Sequence, residues 1–407
     1  MTSPAHLLHR QLLDVRALSV ALVSPLSDAD ASAQSMPDAS PAKWHLAHTT
    51  WFFETFVLAG LPGYQPFDAR FGYLFNSYYE AVGPRLAREK RGLVTRPSLA
   101  EVLAWRAHVD SALAQHWFNL DATRLGLAEL GCHHEMQHQE LLVTDILDLL
   151  GANPLQPALY PAAPPPAPAP TAGWTRHDPG ITRIGHDGTS FAFDCEGPAH
   201  EVLLRPFQLA NSLITNADWA DFIADGGYAK PALWLSDGWA WAGANAITAP
   251  LHWQPEGGTW SSFSLSGRRE IAPHAPVAHI SFYEADAFAA WAGARLPTEF
   301  EWEAAAATAD PAAGNQLDRP GAVAPLGGPG LFGDCWQWTS SAFLPYPGFR
   351  PAAGAVGEYN GKFMNGQRVL RGASCATPRG SSRRTTRNFF YPHQRWQFTG
   401  LRLARDI

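Results

Sequence analysis

Cysteine, charge and long apolar runs are all scarce in this 407-residue chain. The four cysteines, Cys132, Cys195, Cys335 and Cys375, are scattered with no C-x-x-C among them. That spacing excludes a zinc knuckle and gives no disulfide framework, so a reducing cytoplasm is the expected setting. No apolar run reaches the length of a membrane span, and residues 1–10 carry His and Arg among their leucines without a signal core. A soluble, untargeted protein with no membrane partner is expected. Charged residues make up 16% of the chain, with a formal net charge of -7 and a pI near 6.1. An acidic balance of this kind is a poor match to nucleic acid. No period of 20 to 50 residues recurs, which rejects a propeller or a solenoid.

Aromatic residues are abundant, with 16 Trp and 22 Phe, and their ring faces could hold a cation. At 407 residues and 46% hydrophobic, the chain predicts a large core divided between two domains. The division falls at a run of Pro and Ala over 161–170, which reads as a semi-rigid extended linker. The expectation is a helical domain over 1–153, a linker over 154–174 and a second domain over 175–407.

Four helices are predicted before the linker. Leucines, valines and alanines at three and four spacing mark the first over 5–25. Pro41 opens the second, Ser98 with Glu101 forms a capping box for the third, and 132–150 runs without Gly or Pro as the fourth. Four helices in this space suit an up-and-down bundle with a metal in its core or at its mouth. The irregular stretch 61–96, rich in Gly and Pro, is long enough to suggest that it lines a site. After the linker come a short strand at 201–204, helical pieces at 216–223 and 281–292, and much loop. These predict an irregular α+β domain, and an α+β class for the whole chain.

The chemistry centres on Gly131-Cys132-His133-His134-Glu135-Met136-Gln137-His138-Gln139-Glu140. On a helix, His134 and His138 lie one turn apart on one face and could share a first-row metal ion. The same spacing also suits one hydrogen-bonded core histidine and one exposed histidine, so the pair needs a third ligand. His133 points about 100° away around the helix and is not counted.

Several phrases carry a family resemblance. Arg295-Leu296-Pro297-Thr298-Glu299-Phe300-Glu301-Trp302-Glu303, Trp336-Gln337-Trp338-Thr339, Arg371-Gly372-Ala373-Ser374 and Gly400-Leu401-Arg402-Leu403 resemble the formylglycine-generating-enzyme domain, of the C-type-lectin-like type. Cys375 has no second cysteine downstream, so the copper-dependent activity of those enzymes is not expected. Lys43-Trp44-His45-Leu46-Ala47-His48, Asn76-Ser77-Tyr78-Tyr79-Glu80, the 134–140 motif and Arg387-Asn388-Phe389-Phe390-Tyr391-Pro392 together resemble the ergothioneine-synthase family. Those are non-haem iron enzymes in which a DinB-like four-helix bundle is fused to that second domain. Selenoneine synthases are a sister group.

The resemblance implies Fe(II) on His48, His134 and His138, with O2 and hercynine, the betaine of histidine, as substrates. It implies that Gln137, Asn388, Phe389 and Phe390 hold hercynine, that Tyr78 and Tyr79 act in catalysis, and that Arg85 and Arg88 face the carboxylate of the chalcogen donor. His45 is expected either to support a ligand from behind or, as the favoured reading, to be packing, and Glu140 is expected to be either a ligand-orienting group or a surface ion pair. Arg379, Arg383, Arg384, Arg387 and Arg395 are expected to form internal ion pairs and substrate carboxylate contacts. In some ergothioneine synthases an Asp stands where Phe390 is found, and its absence argues against γ-glutamylcysteine as donor. Met136, Cys195, Asp334, Cys335 and Gln337 also depart from the family wording. The resulting expectation is a selenoneine synthase joining a selenosugar to the hercynine imidazole. Carbon–sulfur bond formation with cysteine or γ-glutamylcysteine is the sister reading. A zinc-dependent thiol transferase and a non-catalytic ligand-binding protein are the readings from other classes.

Overall fold

The structure is a computed structural model and describes residues 3–79, 81–352, 357 and 360–407. The chain divides into two compact units, Met1–Leu155 with Asp318–Gly321, and Gln156–Leu317 with Ala322–Ile407.

In the first unit, local capping chemistry sets where the helices begin. Helix α1 spans Pro4–Val23 with a proline in its first turn, and α2 is the single turn Asp28–Ser32. Helix α3 spans Ala42–Phe52 and runs on as a π-helical turn, Phe53–Leu58. After the short α4 (Phe71–Phe75) comes α5 (Leu99–His116), where the Ser98 hydroxyl accepts from Glu101 N and the Glu101 carboxylate accepts from Ser98 N at 2.8 Å. This reciprocal cap satisfies two amides that the first turn leaves without helical partners. Asp121 caps α6 (Ala122–Ala152) in the simpler way, accepting from Arg124 N. Helix α6 therefore begins ten residues before the stretch that periodicity marks. It passes through Gly131 because a Cβ there would lie 2.7 Å from the Phe53 ring, so glycine permits the close approach of α6 to the π-turn.

Helices α1 and α3 pack on α6, and α3 also packs on α5. Every residue of α3 is buried, including Lys43, His45, His48, Thr49 and Thr50. A helix enclosed on all sides shows no amphipathic stripe, and its polar groups must find partners inside the protein. The expected irregular stretch between α3 and α5 also carries a 3-10 turn, Arg88–Leu93.

The second unit holds four small sheets among its described residues. The largest orders the strands Asn388–Phe390, Arg368–Arg371, Trp336–Ala342 and Thr399–Gly400 side by side. Helices α7 (Asn216–Ala224), α8 (Ser236–Ala244) and α9 (Phe282–Trp291) surround an aromatic core in which Trp219 stacks on Phe288 at 4.9 Å, and α10 (Glu299–Ala305) packs Trp302 into a smaller cluster with Phe332. Glu299 accepts from both Arg371 and Arg387, and Glu303 from Arg371, all fully buried. Arg383 pairs with Glu196 and Arg395 with Glu284, so three of the five clustered arginines are committed to internal ion pairs. The Pro/Ala stretch is tied down at both ends. Leu159 N and Tyr160 N donate to Leu265 O, and Thr171 N donates to Ser212 Oγ. Among the described residues no helix is long and apolar enough to cross a membrane.

Candidate metal centre

His48 on α3 meets His134 and His138 on α6 inside the first unit. The ring centroids are 5.0 Å apart for His48 and His134, 4.8 Å for His48 and His138, and 4.6 Å for His134 and His138. One nitrogen from each lies within 4.8 Å of the others. Nitrogens about 2.1 Å from a shared ion lie at most about 4.2 Å apart, so a small closure of side chains would complete the site. Three neutral nitrogens suit a divalent first-row metal ion.

The hydrogen bonds settle which nitrogen His48 and His138 can offer. His48 Nδ1 is 2.6 Å from the Phe75 carbonyl and must carry the proton, leaving Nε2 with its lone pair. His138 Nδ1 lies 2.9 Å from His45 Nδ1, and His45 Nε2 lies 3.0 Å from Asp145 Oδ2. With His45 neutral, its Nε2–H donates to Asp145 and its Nδ1 accepts from His138, which leaves His138 Nε2 free for a metal. His134 Nδ1 is buried without a hydrogen-bond partner.

His45 therefore takes the less favoured of its two expected roles. It links His138 to the Asp145 carboxylate and does more than pack. Asp145 is itself fixed by Ser40 N at 2.8 Å. Partners of this kind orient ligand imidazoles and raise their basicity. Asp145→Asn and His45→Ala are each expected to weaken metal affinity about 10- to 100-fold, read by competition with a chelator. Affinity equal to that of the unaltered protein would show that the chain is mere packing.

Burial is the largest influence on all three ligands and keeps them neutral. It brings His134 down to about 4 and holds His48 and His138 well below the ordinary histidine value, with His134 beside them adding to the effect. Neutral imidazoles are the ligating form, so burial prepares the set for a cation.

The other expected residues are distributed as follows. Gln137 is half-buried on α6, one position before His138. Tyr79 is buried among Trp51, Phe52 and Phe56, with its ring 6.5 Å from His48. Tyr78 is half-buried, its hydroxyl accepting from Arg88 at 3.5 Å and its ring 5.6 Å from the Arg85 guanidinium. Glu80 of the same motif lies outside the described residues. In the second unit, strand alternation separates the expected trio. Phe389 stacks on Phe343 at 4.1 Å, while Phe390 packs toward Trp396 on the opposite side, the side that Asn388 shares.

The departures read as signs of selenium chemistry are interior positions. Gln337 accepts from Trp302 Nε1 and Arg402 Nε, Cys335 Sγ donates to Val277 O, and Cys195 packs with Phe343 and Val369. Asp334 accepts from Leu326 N and Asn315 Nδ2, and Met136 is buried on the side of α6 away from His134.

Sequence reasoning missed Arg91. It is buried, and its guanidinium lies 3.3 Å from the centre of the Trp44 ring. Its hydrogen-bond partners are Ser40 and Ser77 and its ring contact is Trp44, and nothing local in the sequence points to them.

A sulfatase-modifying factor enzyme 1-like domain matches residues 163–321 and 322–407, and the DinB superfamily matches residues 11–142. The chain is 34% identical to a hercynine oxygenase of Mycolicibacterium thermoresistibile, over 98% of this chain and 95% of that protein. It is 33% identical to a hercynine oxygenase of Mycobacterium tuberculosis over the full length of both. A formylglycine-generating enzyme of Streptomyces coelicolor is 36% identical over 36% of this chain and 51% of its own.

Proposed function

Because the chain belongs to the hercynine-oxygenase family, with a DinB helical unit and a sulfatase-modifying-factor-like domain, we propose that it is an O2-dependent, non-haem Fe(II) enzyme acting on hercynine. The product bond is carbon to selenium, with a selenosugar as donor. The observation that carries the reading is the set of three neutral histidines on α3 and α6, two buried and one half-buried. Iron bound there supplies the one-electron chemistry that O2 requires.

The roles of the side chains follow from their chemistry. Gln137 offers an amide that can donate to or accept from either tautomer of the hercynine imidazole. Tyr79, enclosed by rings beside His48, holds a hydroxyl proton for delivery where water is excluded. Asn388, Phe389 and Phe390 form the hercynine-binding strand of the second unit. A quaternary ammonium donates no hydrogen bond, so a ring face must bind it. Phe389 is the first choice for that contact; one of its faces stacks on Phe343, while Phe390, on the side of Asn388, packs toward Trp396.

A second reading, carbon–sulfur bond formation with a thiol amino acid, is favoured by Arg88. Its Nε is buried without a hydrogen-bond partner, and no carboxylate pairs with it among the described residues. A guanidinium with no carboxylate partner among the described residues suits a donor carboxylate. The test supplies hercynine, Fe(II) and O2 with a selenosugar, cysteine and γ-glutamylcysteine in competition, and identifies the product by mass. Selenoneine as the main product supports the first reading, and a sulfur adduct the second. Full turnover with zinc and no O2 would sink both. Arg88→Ala is expected to lower turnover of a carboxylate-bearing donor about 10- to 100-fold and to spare a selenosugar, in keeping with a charged hydrogen bond of about 1.5–3 kcal/mol.

A further inference from the structure

Four planar groups stack in a column behind the metal centre. The Arg91 guanidinium lies 3.3 Å from the Trp44 ring centre, Trp44 lies 4.7 Å from His48 at 11° between planes, and His48 lies 5.5 Å from Trp51 at 14°. Arg91 is 2% exposed. Its Nη1 donates to Ser40 Oγ at 2.9 Å and its Nη2 to Ser77 Oγ at 2.8 Å, while Nε has no partner. No carboxylate pairs with it among the described residues. Burial, with the charge of Arg88, brings its pKa down to about 9, which leaves it a cation at neutral pH.

The same residue reaches the metal centre by a second route. Ser40, which accepts from Arg91, gives its backbone N–H to Asp145, and Asp145 is the acceptor for His45, the partner of His138. One guanidinium thus supports two of the three ligands, through a ring stack to His48 and through hydrogen bonds toward His138. Two serine hydroxyls and an aromatic face hold the cation in place without cancelling its charge.

We propose that Arg91 positions His48 and sets the charge environment of the metal, favouring its lower oxidation state. The inference rests on the reading that His48, His134 and His138 hold iron. A fixed positive charge repels the oxidised ion more than the reduced one, and in a water-excluded interior that repulsion is only weakly screened. Nearby charge and burial are established levers on the potential of a bound metal. A buried unit charge one aromatic ring behind a ligand is expected to change the ratio of oxidised to reduced iron about tenfold at a given potential, which is about 59 mV for one electron.

The experiment is a spectroelectrochemical titration of the iron-loaded full chain. Arg91→Met is expected to lower the midpoint potential by about that tenfold equivalent, about 59 mV. Arg91→Lys, which restores the charge without the planar stack, is expected to recover most of the drop. Where methionine leaves the helical unit unfolded, Arg91→Gln keeps an amide for Ser77 and should show the same fall. If these neutral variants bind one iron per chain at an unchanged potential, the inference on Arg91 fails alone. If the unaltered protein binds no iron, the functional reading fails and this inference with it.

Discussion

Replacing His138 by alanine is expected to abolish stoichiometric metal binding and with it all turnover. The loss follows from the geometry. His138 closes the triad with His48 and His134, and two imidazoles 5.0 Å apart at their centroids are a weak site for a cation in a buried, otherwise neutral pocket. Losing a group that merely orients a ligand weakens affinity about 10- to 100-fold, and removing the ligand itself should exceed the upper end of that range. The variant should fold, because the alanine leaves His45 its bond to Asp145 and leaves α6 an excellent helix former. Iron analysis after gel filtration, with circular dichroism as the folding control, decides the matter. One iron per chain in the variant would show that the ligand set is wrong.

Glu135→Gln is expected to cost about 3–5 kcal/mol of stability, the cost of leaving buried charge unpaired. Glu135 is buried one position after a ligand and faces the other way around α6. It accepts from Arg16 Nη1 at 3.2 Å, from Ser19 Oγ at 2.5 Å and from Arg106 Nη2, so it compensates two arginines buried in the bundle. A neutral amide in its place leaves Arg106 without a carboxylate. Burial by itself would push the Glu135 carboxyl up, but Arg106 and Arg16 outweigh it and hold the group below the ordinary glutamate value. A depressed folded pKa contributes stability that is fully present above the unfolded value of about 4.3 and is lost as pH falls through the folded value. The unaltered protein should therefore lose stability more steeply in acid than the Gln variant. Urea unfolding followed by helical circular dichroism at neutral and acid pH measures both effects. A difference below about 1 kcal/mol at neutral pH would mean that the arginines find other compensation.

The two residues differ in how far the sequence alone revealed them. His134 and His138 are legible because helical spacing is a local rule, and the ring distances on α6 are what that rule requires. Ser98 with Glu101 is legible for the same reason, since a capping box is completed within four residues. Glu135, adjacent to a candidate ligand, gave no sign of its role, and His45, three residues from another, left packing and ligand support both open. Their partners are Arg16, Arg106, Asp145 and His138, which are distant in sequence and meet them only when α1, α3, α5 and α6 pack.

The sequence by itself determined the capped start of α5, the one-turn spacing of His134 and His138 on α6 and, through resemblance, His48 as the third candidate ligand. It also determined the irregular α+β character of the second unit, because short strands and dense Gly and Pro permit little else. The tertiary structure alone decided that α3 is enclosed on every side. That enclosure turns His45 into a link between His138 and Asp145 and seats Arg91 against Trp44. It also placed Phe389 and Phe390 on opposite sides of one strand. Periodicity and capping are short-range and can be read along the chain, whereas the partner of a buried polar group is chosen by packing between segments that the sequence keeps far apart.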